Sequence, residues 1–179
     1  MKLSFFSLAS GSSGNCYYLG TPDFGILIDA GISFRTIKKV LKDNNIDISK
    51  IAAVLVTHDH ADHIKTVGYL GEKMYLPVYT TADVHRGIDN SRYVEETLNG
   101  SRRIIQKEVP FMIRDFSIVA FEVPHDSTDN VGYHICYKDH KFTFATDVGH
   151  ITDTVKKYMS MANHLIIEAN YDEEMLKFG

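Results

Sequence analysis

The sequence predicts an α/β chain: two successive sheet-rich halves with helices outside, an αβ/βα sandwich. Three observations lead there. Residues 51–56, Ile-Ala-Ala-Val-Leu-Val, form a short unbroken apolar run that reads as a buried strand. Ile64, Val67 and Leu70 then recur at helical spacing. The second half returns to strands over 116–123, 131–137 and 141–146, followed by a helix over 153–161 and a buried strand over 164–168. A length of 179 residues is enough for one domain with a real core, and residues 1–179 read as a single domain. The apolar fraction of 44% and charged fraction of 23% are those of a soluble globular protein. A net charge of −4 gives no general nucleic-acid coat, so any phosphate-binding surface has to be local. No apolar run approaches the roughly 20 residues that span a bilayer, so no membrane partner is expected.

Taken in order, residues 2–9 read as the first strand. Serines interrupt the apolar stretch and the basic region is a single lysine, which argues against a signal peptide. The Gly/Ser loop 10–15 leads to a strand at 16–19, and residues 26–28 form a third strand that ends at Asp29-Ala30-Gly31. Ser33 is placed to cap a helix whose apolar stripe is Phe34, Ile37, Val40 and Leu41, ended by Asn44-Asn45. The middle, 72–110, is the least patterned. It suggests a short strand at 77–80 and a helix capped by Thr81 that runs through His85. Arg86, Arg92, Arg102 and Arg103 fall nearby and read as a solvated charged surface in preference to a cationic lip for a phosphate backbone. A hairpin joins 131–137 to 141–146 across Lys138-Asp139-His140, and a further helix start is expected over 171–176. Cys16 and Cys136 are too few for a disulfide framework and lack Cys-x-x-Cys spacing. Buried free thiols in a reducing cytosol are the simple reading, with one disulfide as the alternative.

Between the 51–56 strand and the following helix lies Thr57-His58-Asp59-His60-Ala61-Asp62-His63, with three imidazoles and two carboxylates in seven residues. Imidazole nitrogen and carboxylate oxygen are the ligands that borderline divalent metals such as zinc take, and a strand-to-helix turn lets side chains converge. Given this chain's His and Asp content, His-x-His-x-Asp-His arises by chance on the order of twice in a thousand such chains. A merely solvated polar loop is therefore a poor account of it. His125 and Asp147 each stand at the end of an expected strand, where loops build sites. His134 alternates with Gly132 and Cys136 and reads as packing, whereas His85, His140 and His164 read as surface groups.

The 57–63 motif resembles the signature of the metallo-β-lactamase fold, and Ser-Gly-Ser-Ser-Gly-Asn-Cys over 10–16 is similar to its YycJ/WalJ-like branch. The resemblance implies a metallo-β-lactamase-like four-layer αβ/βα sandwich. It also implies two divalent metal ions, zinc first and manganese as the alternative. Carried over residue by residue, His58, His60 and His125 hold one ion, Asp62 and His63 the second, and Asp147 bridges them. Asp62 also serves as a general base, and Asp29 supports the turn from behind the ligands. Ser12, Ser13, Asn15 and His150 are substrate-contact candidates, while Asp59 and Asp126 stay without a role as ligands. One departure stands out: the family places a last histidine, strands and helix after the strand matching 164–169, and no histidine follows His164 here. The expectation is a domain incomplete at its C-terminus, with a weaker second metal position. Apolar surface left uncovered around 164–178 would then favour self-association.

The function implied is a cytoplasmic dinuclear metal-dependent hydrolase acting on phosphodiesters as a DNA or RNA nuclease of exonuclease type. A hydroxide held between the metals is the nucleophile. The same metals could instead serve a thioester, lactone or β-lactam hydrolase. A non-catalytic metal-binding regulatory domain is the reading from another class.

Overall fold

The structure, a computed structural model, describes residues 3–168. The helix start expected over 171–176 lies outside the described residues. The chain divides into two compact units, Met1–Ile105 and Gln106–Gly179.

The first unit is built on a six-stranded sheet in sequence order: β1 (Ser4–Ala9), β2 (Cys16–Gly20), β3 (Gly25–Ile28), β4 (Ile51–Leu55), β5 (Val78–Thr80) and β6 (Arg102–Ile104). The first three strands run antiparallel, and β3 to β6 are parallel. Parallel strands need crossovers, which are supplied by α1 (Phe34–Asp43), by α2 (Ala61–Ile64) with α3 (Val67–Glu72), and by α4 (Ala82–Asn90). This explains the unbroken apolar run of β4. A central parallel strand is covered on both faces, and Ala53, Val54 and Leu55 are completely buried. Ser33 caps α1 as expected, its Oγ accepting from the Thr36 N–H at 3.2 Å, and Ile37 and Leu41 face the core.

Two details depart from the sequence reading. The helix through Ile64, Val67 and Leu70 is broken at Lys65–Thr66. Thr66 is held elsewhere: its N–H donates to the Ala30 carbonyl at 2.9 Å and its Oγ to the Ile32 carbonyl. His85 is not a surface group. The Thr81-capped helix continues to Asn90 and turns His85 inward beside Val84 and Ile88, where its Nε2 donates to the Arg103 carbonyl at 3.1 Å. The arginines of this region serve local pairing. Arg102 forks onto both oxygens of Asp89, at 2.6 and 2.8 Å, and Arg86 meets Asp83.

The second unit holds a five-stranded sheet in the order β11-β10-β9-β8-β7: β7 (Phe111–Ile113), β8 (Phe116–Glu122), β9 (Val131–Tyr137), β10 (His140–Ala145) and β11 (His164–Ile167). All pairs are antiparallel except β10–β11, which α5 (Asp153–Met161) connects in parallel. The β9–β10 hairpin turns through Lys138 at φ 52°, so β10 starts one residue earlier than the sequence suggests. His134 is a packing residue, as expected. Its Nδ1 donates to Thr143 Oγ at 2.8 Å, and the threonine hydroxyl donates in turn to the Tyr158 carbonyl. Both cysteines are free thiols; Cys16 is buried, but Cys136 is only half-buried.

Burial depresses the proton affinity of both His85 and His134, aided at His134 by Lys141. The unfolded chain therefore takes up protons on these imidazoles at higher pH than the folded chain does. Their contribution to stability should be complete above the ordinary histidine value of about 6.5 and be lost as pH falls toward the depressed folded values. Urea midpoints of the metal-free chain should drop between pH 7.5 and pH 5. The His85→Leu variant should show a shallower drop, and an identical pH profile would refute the assignment.

Candidate metal centre

In the first unit the donor-rich turn follows the carboxyl end of β4, beside the carboxyl end of β3, the edge where open parallel sheets place ligands. Asp29 leaves β3 in the left-handed region at φ 60°, which a short carboxylate side chain tolerates better than most. It is completely buried, and its carboxylate is fully used. Oδ1 accepts from the Thr57 N–H at 2.8 Å, and Oδ2 accepts from the Thr57 hydroxyl and from His63 Nδ1, each at 2.8 Å.

These bonds decide which ring nitrogens carry protons. His63 donates from Nδ1 to Asp29, so its Nε2 keeps a lone pair. The Thr57 hydroxyl proton is committed to Asp29, so its oxygen accepts from His58 Nδ1 at 2.9 Å, and His58 Nε2 keeps its lone pair as well. The His58 ring lies 4.6 Å from that of His60 and 4.0 Å from that of His63, centroid to centroid. Asp62 Oδ2 sits 3.6 Å from His63 Nε2. Two ligands of one tetrahedral zinc, with bonds of ~2.0–2.2 Å, stand roughly 3.3–3.6 Å apart, so this pair fits a shared cation. His58 with His60, and His58 with His63, also belong to groups of His and Asp donors close enough together to hold a metal ion.

Thr57 and Asn15 take parts in the turn that sequence reading left unassigned or placed elsewhere. Thr57 links Asp29 to His58; its signal was a hydroxyl directly before the first histidine. Asn15, named as a substrate contact, is buried, and its Nδ2 lies 3.2 Å from Asp62 Oδ2, 3.1 Å from His63 Nε2 and 3.1 Å from the Gly11 carbonyl. Its backbone N–H donates to the Asp62 carbonyl at 2.7 Å. Ser12 and Ser13 are exposed at the tip of the same loop. Asp59 lies against Gly87 of α4. Cys16, next to Asn15, is an inert thiol: burial, and then the Asp29 charge, push its proton affinity far above the usual thiol range.

Gly31 lets the β3 end meet the turn. A Cβ there would overlap the Asp62 carbonyl. The Ala30 N–H donates to the His63 carbonyl and the Gly31 N–H to the Asn15 carbonyl, both at 2.8 Å. Gly31→Ala should therefore displace Asp62 and His63 together, lowering thermal stability by about 1–3 kcal/mol as an overpacking change and weakening metal uptake. A variant with parental melting temperature and metal stoichiometry would show that the backbone yields easily.

In the second unit His125 follows β8, and the buried Asp147 follows β10 at φ 52°. One backbone bond ties their loops together: the Gly149 N–H donates to the Pro124 carbonyl at 2.8 Å. Both residues thus stand at one end of the second sheet, with Asp126 and His150 exposed nearby in sequence.

A family model described as "Beta-lactamase superfamily domain" matches residues 25–178. The chain belongs to the β-lactamase superfamily. Within that superfamily it is similar to the exodeoxyribonuclease YycJ of Bacillus anthracis, 32% identical over all of this chain and 67% of that protein. It is 34% identical to the exodeoxyribonuclease WalJ of Streptococcus pneumoniae over 96% of this chain and 64% of that protein. The chain therefore spans about two-thirds of the length of these curated relatives. Among solved structures, the metallo-β-lactamase fold protein YhfI from Bacillus subtilis superposes with a TM-score of 0.69, covering 91% of this chain and 67% of that one at 21% identity. The superfamily fold expected from the 57–63 motif is thus the fold observed. Among the described residues, no helix is long and apolar enough to cross a membrane.

Proposed function

We propose that this superfamily member is a dinuclear metal-dependent phosphodiesterase that removes nucleotides from DNA in the cytoplasm. The observation that carries the reading is the Asp29-held turn, with lone pairs fixed on His58 and His63, in a chain 32–34% identical to proteins named exodeoxyribonuclease. In this reading His58, His60 and His125 would hold one divalent ion and Asp62 and His63 the second. Asp147 would be shared by the two, and zinc would suit the nitrogen-rich set. Such a pair, when bound, supplies positive charge to a developing oxyanion and acidifies water.

The chain's own residues do the rest. Asp29 and Thr57 hold the histidine protons on Nδ1, so that Nε2 is the ligating atom without a tautomer change. Asp62, with a third of its side chain exposed, is able to take a proton to solvent, and the Asn15 amide aims its carboxylate. Ser12, Ser13 and His150, all exposed, are the candidates for holding substrate phosphates. No side-chain nucleophile is required.

A substrate panel tests the reading. Release of mononucleotides from a labelled oligodeoxynucleotide, without thioester, lactone or β-lactam turnover, is the expected result. Turnover of those esters or amides alone would transfer the same residues to another substrate class. Metal uptake with no turnover of any substrate would make the chain a metal-binding regulatory domain.

A further inference from the structure

Helix α1 presents a face that the proposed chemistry leaves unused. Arg35, Lys38, Lys39 and Lys42 recur at i, i+3, i+4 and i+7, so they form one stripe, and all four are exposed. Ile37 and Leu41 anchor the opposite side in the core. Lys39 pairs with Asp43 at 2.8 Å, and Lys38 adds the smallest contribution to the lowered proton affinity of Asp47, after the hydrogen bonds from Ser49 and the charge of Lys50. Arg35 and Lys42 have no ion pair among the described residues. Four cations against one carboxylate leave the helix at +3, in a chain whose net charge is −4.

A solvated helix face is the ordinary use of lysines, but two features here ask for more. The first turn of α1 holds no acidic residue and instead carries Arg35, where the helix dipole disfavours a cation. Helix stability therefore does not account for this placement. The second feature is position within the unit. The segment that enters α1 is bonded to the metal-ligand turn through Ala30 to the His63 carbonyl and Thr66 to the Ile32 carbonyl. The stripe starts beside that turn and leads away from it. From Arg35 to Lys42 it extends about 10 Å at ~1.5 Å per residue, the rise of roughly three nucleotides of one strand along a duplex axis at ~3.4 Å each.

We infer that the exposed face of α1 is a track for the backbone of a DNA strand, Arg35 nearest the metal-binding turn and Lys42 furthest. The inference rests on the DNA reading of the site. It predicts contacts that read charge and not sequence.

The experiment compares the full chain with its Arg35→Ala/Lys38→Ala/Lys42→Ala variant by anisotropy of a labelled single-stranded oligodeoxynucleotide across a salt series. KM and kcat for nucleotide release are measured in parallel. Loss of three phosphate contacts should lower the slope of log affinity against log salt by about 2, and raise KM far more than it changes kcat. The charge-keeping Arg35→Lys/Lys38→Arg/Lys42→Arg variant should regain the parental slope. Nucleotide release with an unchanged slope and KM in the alanine variant would overturn the track and leave the nuclease reading standing. Binding that depends on the three cations, with no hydrolysis by the parent chain, would keep the track and overturn the nuclease reading. An oligonucleotide that binds neither chain would overturn both.

Discussion

Asp29→Asn is expected to weaken metal binding by about 10–100-fold, the usual cost of losing the group that orients ligand imidazoles. Asparagine accepts the left-handed backbone at φ 60°, so the change isolates the hydrogen bonds. Its carbonyl could still take the Thr57 N–H. Its amide would then face two donors, the Thr57 hydroxyl and His63 Nδ1, where Asp29 Oδ2 now accepts from both at 2.8 Å. His63 could relieve the clash only by moving its proton to Nε2, the atom that should ligate. Each buried donor left unsatisfied costs about 1–3 kcal/mol, so the metal-free chain should also melt earlier. Competition with a chelator of known affinity, together with thermal unfolding, measures both effects. Parental metal affinity in the variant would mean that the carboxylate shapes the fold alone.

His58→Ala and His60→Ala should each remove one metal ion and abolish hydrolysis, whereas His164→Ala, at the exposed start of β11, should do neither. His58 is the more severe change, because it is completely buried and its loss leaves a cavity as well as a missing ligand. Ligand imidazoles have to be neutral, so protons compete with the metal. Affinity in the parent chain should fall as the solution is acidified through the histidine range. Metal analysis of the three variants after gel filtration reads the assignment directly. Full stoichiometry in His58→Ala and His60→Ala would place the metal elsewhere.

Much of the fold was legible because burial writes itself into periodicity. β4 is continuous apolar sequence because a parallel strand is covered on both faces, and α1 shows its cap and stripe in order. Strands β6 and β7 were missed because each has three residues that are mostly not buried, so no apolar run marks them, whereas the equally short β5 buries Val78 and Thr80. His85 was misjudged because its burial depends on how far α4 continues past Thr81, which the local sequence does not state. The helix expected through Ile64, Val67 and Leu70 split because Thr66 bonds to Ala30 and Ile32, more than thirty residues earlier.

The sequence by itself determined the donor turn, since His58, His60, Asp62 and His63 are neighbours along the chain and need only a strand-to-helix bend to converge. Only the tertiary structure decided how those donors are prepared. Asp29 reaches Thr57 and His63 across 28 and 34 residues because β3 and β4 pair in parallel with Ile28 opposite Leu55, and that pairing sets the Asp29 carboxylate under the turn. Hydrogen bonds across such separations leave no local pattern, because their partners are chosen by strand register and not by spacing along the chain.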